Sequence, residues 1–329
     1  MTVRFGLLGA GRIGKVHAKA VSGNPDAVLV AVADAFPAAA EAIAKAYGCE
    51  VRSIEAIEAA SDIDAVVICT PTDTHADLIE RFARAGKAIF CEKPIDLDVD
   101  RVKACLKVVS ETGAKLMVGF NRASTPFMAV RKAIDAGTIG DVEMVTITSR
   151  DPGAPPVDYI KRSGGIFRDM TIHDFDMARF LLGEEPVSVT ATAAVLVDKA
   201  IGAAGDFDSV SVILQTASGK QAVISNSRRA TYGYDQRIEV HGSKGAVAAE
   251  NQRPVSIEIA TGEGYTRPPL HDFFMTRYTE AYANEIESFI AAIEKGAEIT
   301  PSGKDGLAAL ALADAAVRSV AEKRQISVA

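Results

Sequence analysis

Asp169 and His173 stand four residues apart in the stretch Ser163-Gly164-Gly165-Ile166-Phe167-Arg168-Asp169-Met170-Thr171-Ile172-His173-Asp174-Phe175-Asp176. A helix starting near Asp169 would stack both side chains on one face. An imidazole can take a hydroxyl proton near neutral pH, and a carboxylate beside it raises its basicity. The pair also suits an ordinary role, with Asp169 as a helix cap and His173 satisfied in a core. Lys93, in Glu92-Lys93-Pro94 at the C-terminal edge of an expected strand, reads by position alone as a solvated surface charge.

A second constellation opens the chain. Val3-Arg4-Phe5-Gly6-Leu7-Leu8 reads as a buried strand, and Gly9-Ala10-Gly11-Arg12-Ile13-Gly14 follows it directly into an alanine-rich helix. In this G-x-G-x-x-G, Gly9 permits a tight turn, Gly11 lets backbone approach a pyrophosphate, and Gly14 lets helix pack on strand. Phosphates would sit on the N–H groups at the positive helix end, where Arg12 and Ile13 stand. A second strand, residues 28–33, ends in Asp34, twenty residues beyond Gly14. A carboxylate there is placed to bind the ribose 2′-hydroxyl of NAD and to repel the 2′-phosphate of NADP. Ala35 and Phe36 follow, so no adjacent cation serves NADP. The alternative is that Asp34 merely ends its strand. The loop after the apolar run Ala65-Val66-Val67-Ile68 contains Thr70, Pro71, Thr72 and His75 and is placed to line the same cofactor; Thr72 or Asp73 could equally cap the next helix.

These residues need a scaffold. Strands at 3–8, 28–33, near 51, 65–68, 88–91 and 115–119 alternate with helices at 38–47, 54–60, 76–85 and 99–111, which predicts a doubly wound parallel sheet of the Rossmann kind. The pattern changes near residue 123. A helix at 128–136 precedes strands at 187–197, 209–216, 220–227 and 235–240, with a hairpin turn at Gly242-Ser243-Lys244-Gly245. Helices at 277–295 and 304–323 close the chain. The fold class is α/β: a Rossmann domain over 1–122, then an α+β domain over 123–329 with a large, mostly antiparallel open sheet. In the long strand, Val187, Val189, Ala191, Ala193, Val195 and Val197 are expected to face the core.

Composition narrows the function. At 329 residues, with 48% hydrophobic and 24% charged residues, the chain has an ordinary globular makeup. A net charge of −7 and no basic stripe argue against nucleic acid as a partner. No apolar run approaches the ~20 residues that span a membrane, and the N-terminus enters a strand without the regions of a signal peptide. Cys49, Cys69, Cys91 and Cys105 fit no metal or redox spacing and suit a reducing compartment, so a cytoplasmic protein without a metal is expected.

In this order, the glycine motif, Asp34, Glu92-Lys93-Pro94 and the Asp169…His173 pair resemble the Gfo/Idh/MocA oxidoreductase family. The resemblance runs nearly end to end and includes Gly119-Phe120-Asn121-Arg122 and Tyr232-Gly233-Tyr234-Asp235. It implies NAD-dependent oxidation of a secondary hydroxyl on a cyclic polyol, with myo-inositol or a stereoisomer as the expected substrate. Lys93, Asp169 and His173 would be the catalytic set. His173 would remove the hydroxyl proton, Lys93 would stabilise the alkoxide, and Asp169 would orient His173. Glu92, Lys93 and Arg122 would join the cofactor site. Arg122, Arg150, Asp151 and Tyr234 would face the polyol beside Lys93, Asp169 and His173. After Arg122 the chain departs from the family pattern: Ala123-Ser124-Thr125-Pro126 replaces a further basic residue and an aromatic, so this loop is expected to differ in shape.

Two other readings stay open: the same chemistry on a cyclic aldose, and a non-catalytic NAD-binding regulator, although a pure sensor needs none of Lys93, Asp169 and His173. The sheet face bearing Ser188, Thr190 and Thr192 with Ala194 and Leu196 is mixed and flat enough to pack on its own copy. The resemblance implies the same, and a homotetramer assembled through that face is expected.

Overall fold

Apolar runs bounded by glycine or polar residues become strands, and alanine-rich stretches between them become helices. The computed structural model describes residues 2–328. Its first half runs β1 (Val3–Leu8), α1 (Arg12–Ser22), β2 (Ala27–Ala33), α2 (Pro37–Tyr47), β3 (Glu50–Val51), α3 (Ile54–Ala59), β4 (Ala65–Ile68), α4 (His75–Arg84), β5 (Ala88–Glu92), α5 (Val99–Thr112) and β6 (Leu116–Gly119). The six strands pair in parallel in the order β3-β2-β1-β4-β5-β6. All four residues of β4 are 0% exposed, as a strand covered by helices on both faces requires. Strand order reverses between β1 and β4, so the loops leaving their C-terminal ends border the crevice where such sheets bind ligands.

The second half runs α6 (Thr125–Asp135), β7 (Val142–Arg150), α7 (Val157–Ser163), α8 (Ile166–Asp169), α9 (Thr171–Leu182), β8 (Pro186–Ala194), α10 (Lys199–Ala203), β9 (Ser209–Thr216), β10 (Gln221–Ser227), β11 (Asp235–Gly242), β12 (Gly245–Ala249), β13 (Ile259–Thr261), β14 (Gly264–Thr266), α11 (Phe274–Arg277), α12 (Thr279–Lys295), α13 (Gly303–Glu322) and β15 (Ile326–Ser327). Seven of these strands form one sheet in the order β12-β11-β7-β10-β9-β8-β15. It is antiparallel throughout except between β7 and β10, which run parallel. The expected hairpin turn is present, with Gly242 paired to Gly245. Val145, Val212, Leu214, Ile224 and Val240 on one sheet face are 0% exposed, as are Ile172 and Phe175 of α9.

The chain divides into two compact units. One holds the residues through Ser124 together with Thr279–Leu310; the other holds Thr125–Tyr278 and the residues from Ala311 onward. The segment Thr279–Leu310, expected in the second domain, thus belongs to the first unit.

Two local expectations change. The strand expected over 187–197 stops at Ala194, because the Asp208 carboxylate accepts the N–H groups of Leu196, Val197 and Asp198 at 2.8, 2.8 and 3.0 Å and turns the chain away. A register shift between Pro186 and Ser188 leaves Val187 exposed, and Val195, beyond the strand's end, is exposed as well; Ser188 is buried under Gln325, which donates to its hydroxyl at 2.9 Å, while Val189 and Ala191 face inward as expected. The helix expected from Asp169 is in fact two. The Met170 N–H closes α8 on the Ile166 carbonyl at 2.9 Å, and the Met170 carbonyl takes the His173 N–H at 3.3 Å, so α9 starts afresh. Asp169 and His173 belong to successive helices.

Candidate active site

The glycine loop of the first unit has the form its sequence implies. Gly9 adopts φ +97°, and a side-chain carbon there would lie 2.6 Å from the Cys69 backbone. A Cβ at Gly14 would lie 2.0 Å from the Gly9 carbonyl oxygen, so those two glycines are demanded by the protein itself. At Gly11 a Cβ would meet nothing within 4 Å. The open space over Gly11 is the fit expected of a cradle whose occupant is not protein. Gly11 is also the N-cap of α1, with no side-chain cap and no acidic residue in the first turn, so the positive helix end is open to an anion.

Asp34 closes this cradle. Its Oδ2 accepts the Ala10 N–H at 2.6 Å and its Oδ1 the Phe36 N–H at 2.7 Å. A carboxylate oxygen has two lone pairs, so each retains acceptor capacity for a ribose hydroxyl. The Thr70 loop is braced internally: Thr74 donates to the Pro71 carbonyl at 2.7 Å, which leaves Thr70 to donate to Thr74 at 2.6 Å. Thr72 opens the single turn that leads from Pro71 into α4.

His75 has a different place from the one expected. Its ring is buried, with Nδ1 2.8 Å from the Pro94 carbonyl oxygen and Nε2 2.8 Å from that of Thr70. Both nitrogens are engaged by backbone, so His75 ties the Thr70 loop to the Lys93-Pro94 loop. Glu92 is held in turn by a residue that the sequence reading did not single out. The Nε2 of His17, a fully buried residue of α1, lies 2.6 Å from the Glu92 Oε1, with the ring packed against Phe90 and Tyr282. Lys93 follows at the end of β5, half-buried. Arg122 is buried, donating to Asp305 at 2.9 Å and Thr300 at 3.2 Å. Burial would raise the Asp305 carboxyl, but the Arg122 charge and the donors of Ser302 bring it down to about 2.

In the second unit, Asp169 ends α8 and has both carboxylate oxygens engaged. Tyr159 donates its hydroxyl to Oδ1 at 2.8 Å, and Arg228 donates from Nη2 to Oδ2 at 3.2 Å. His173 is half-buried in the first turn of α9. Its neighbour Asp174 is buried beneath the helix, accepting from Ser149 at 2.7 Å and Asn226 at 2.6 Å. Loss of hydration pushes the Asp174 carboxyl up to about 6 despite those two donors. Asp151 lies 4.0 Å from the Arg228 guanidinium.

Arg150 is placed elsewhere. Side chains alternate along β7, so Arg150 points to the sheet face opposite Ser149, away from α9, and donates to the Tyr232 hydroxyl at 3.0 Å. Tyr234 is buried edge-on against Phe273 and Tyr278. The second unit therefore groups Asp151 and Asp169 around Arg228, with His173 on the adjoining helix, and directs Arg150 to the open face. No sequence signal marks Arg228 or Tyr159: residue type does not separate a buried arginine from a surface one, and Tyr159 matters only through its contact with Asp169. Among the described residues, no group of three or more His, Cys, Asp or Glu side chains could hold a metal, and no helix is long and apolar enough to cross a membrane.

A parallel Rossmann sheet with an open glycine loop, followed by a unit built on a seven-stranded, mostly antiparallel sheet, is the architecture of a nicotinamide-dependent oxidoreductase. Residues 3–120 match the oxidoreductase family with NAD-binding Rossmann fold, and residues 127–248 match the GFO/IDH/MocA C-terminal domain. The chain belongs to the Gfo/Idh/MocA oxidoreductase family. It is 92% identical to inositol 2-dehydrogenase of Rhizobium meliloti (strain 1021), with all of both chains covered. A myo-inositol dehydrogenase of Corynebacterium glutamicum superposes with a TM-score of 0.96 at 43% identity, covering 100% of this chain and 99% of that one. The scyllo-inositol dehydrogenase of Lactobacillus casei, solved with NAD(H) and scyllo-inositol, gives 0.93 at 29% identity, covering 100% and 99%.

Proposed function

We propose that this protein oxidises a ring hydroxyl of myo-inositol to the corresponding 2-keto-inositol with NAD, as an inositol 2-dehydrogenase. The full-length likeness to the Rhizobium enzyme carries this reading. Gly9, Gly11 and Gly14 shape the backbone that receives the pyrophosphate, and Asp34 receives the adenine ribose. Bound NAD supplies the nicotinamide carbon that accepts the hydride. His173 takes the substrate hydroxyl proton onto its imidazole as the carbon–hydrogen bond breaks. Lys93 stabilises the negative charge that develops on that oxygen, and Asp169 orients His173 and favours its charged form. Asp151, Arg122 and Tyr234 shape the polyol site.

The unit made of the residues through Ser124 and Thr279–Leu310 binds the cofactor in this reading, and the other unit binds substrate and assembles the enzyme. Assembly is a homotetramer through the open sheet face, which carries Thr190, exposed Thr192 and Ile213, itself 47% exposed. The protein works in the cytoplasm. Initial rates of NADH formation across a panel of inositol isomers and aldoses test the proposal. Myo-inositol is expected to be turned over with the highest kcat/KM. Turnover of an aldose but of no inositol would overturn the substrate, and NAD binding without any turnover would make the protein a sensor.

A further inference from the structure

Arg228 is the largest fully buried side chain among the described residues, at 1% exposure. A guanidinium stays ionised in any environment, so it can be buried only among acceptors. Three carboxylates surround it, and one of them, Asp169, accepts a hydrogen bond from it. Nη2 lies 3.2 Å from Asp169 Oδ2 and 3.9 Å from Asp206 Oδ2, while Nη1 lies 4.0 Å from Asp151 Oδ2. The three carboxylate side chains are themselves only 17%, 13% and 10% exposed for Asp151, Asp169 and Asp206.

The cluster grips α8 at both ends. At its start, Asp206 Oδ1 accepts the Ile166 N–H at 3.0 Å, and Gly165 is needed there because a Cβ would lie 2.8 Å from that oxygen. At its end, Arg228 takes one Asp169 oxygen while Tyr159 takes the other. Arg228 is fixed in turn by its backbone, whose N–H donates to the Asp208 carbonyl at 2.8 Å just beyond β10. A carboxylate gripped on both oxygens cannot turn about its Cβ–Cγ bond.

We propose that Arg228 is a positioning residue for proton transfer: with Tyr159 it locks the Asp169 carboxylate as an anion of fixed direction for His173. The proposal rests on the assignment of Asp169 and His173 to proton removal. It goes beyond that assignment by placing rate control in a buried arginine that acts only through Asp169.

The test uses the full chain with NAD and myo-inositol. Asp169→Asn checks the underlying assignment and is expected to lower kcat by about 100-fold or more. Arg228→Ala is expected to lower kcat by about 10–100-fold with the NAD dissociation constant unchanged, the usual worth of lost orientation. Guanidinium ion at millimolar concentration is expected to restore part of that kcat, and Arg228→Lys to retain an intermediate value, because ammonium keeps the charge without the fork. Arg228→Ala also leaves three carboxylates without their cation, so Tyr159→Phe supplies a variant that removes no charge. At this half-exposed position it is expected to keep its melting temperature and lose kcat about 2–10-fold. Wild-type kcat in both Arg228→Ala and Tyr159→Phe would overturn the proposal. So would a loss in Arg228→Ala that guanidinium does not restore, accompanied by a wild-type Tyr159→Phe. If Asp169→Asn keeps wild-type kcat, the underlying assignment fails first, and the proposal falls with it.

Discussion

Asp34 Oδ2 accepts the Ala10 N–H at 2.6 Å, so the acid at the end of β2 is also a buttress of the glycine loop. In the proposed function, cofactor choice and loop shape therefore share one carboxylate. NAD is expected to be preferred over NADP, because a 2′-phosphate would meet this charge with only Ala35 and Phe36 beside it. Asp34→Ser should weaken NAD and narrow the preference together. Equal or better kcat/KM with NADP in the wild-type protein would refute the assignment of Asp34.

The glycines separate cradle from packing. Gly14→Ala puts a methyl 2.0 Å from the Gly9 oxygen and is expected to lower Tm by several degrees or prevent folding. Gly11→Ala meets no protein atom within 4 Å, so Tm should hold. NAD affinity, however, should fall by about tenfold or more as the methyl enters the phosphate site. Calorimetry and a cofactor titration check both; unchanged NAD affinity in Gly11→Ala would move the phosphates elsewhere.

Much of this was legible in the sequence because it is local. The glycine motif sets its own turn, and Asp34 follows from counting along one β-α-β unit. The alternation of the first half is strong enough to give all six strands. Most of what was not legible depends on partners far along the chain. Asp208 ends β8 from ten or more residues away, and Arg228 becomes a buried cation only when β10 meets α8. The break at Met170 is local, but no proline or glycine marks it in the sequence. Arg150 shows the parity of a strand at work: one residue after Ser149, it faces the other side.

Asp174 should set part of the pH dependence of stability. Its folded value is raised to about 6 by burial, so the protonated form favours the folded state. That contribution is complete below the unfolded carboxyl's pKa of about 4 and is lost as pH rises through about 6. Asp174→Asn removes the titration, and the buried Asn226 Oδ1, which lacks a hydrogen-bond partner, can accept the new amide if Asn226 flips. Between about pH 4.5 and 7.5 the stability difference should move toward the variant by on the order of 1–3 kcal/mol, read from denaturant unfolding. No movement would mean that Asp174 is ionised throughout.

Assembly is expected to depend on the open sheet face. Thr190→Arg with Thr192→Arg should reduce the light-scattering mass below that of the wild-type protein, since two cations would face their own copies in the proposed tetramer. A wild-type protein that scatters as a 34.6 kDa monomer at micromolar concentration would remove the proposal, and a double variant that stays tetrameric would place the interface elsewhere.

The central claim is that His173 removes the proton from an inositol hydroxyl while hydride passes to NAD. The most direct measurement is the initial rate of NADH formation on myo-inositol by wild type and His173→Ala, beside their NAD dissociation constants. The account predicts a kcat lower by about 10²–10⁴ with NAD binding unchanged. A variant that keeps near-wild-type turnover would contradict it.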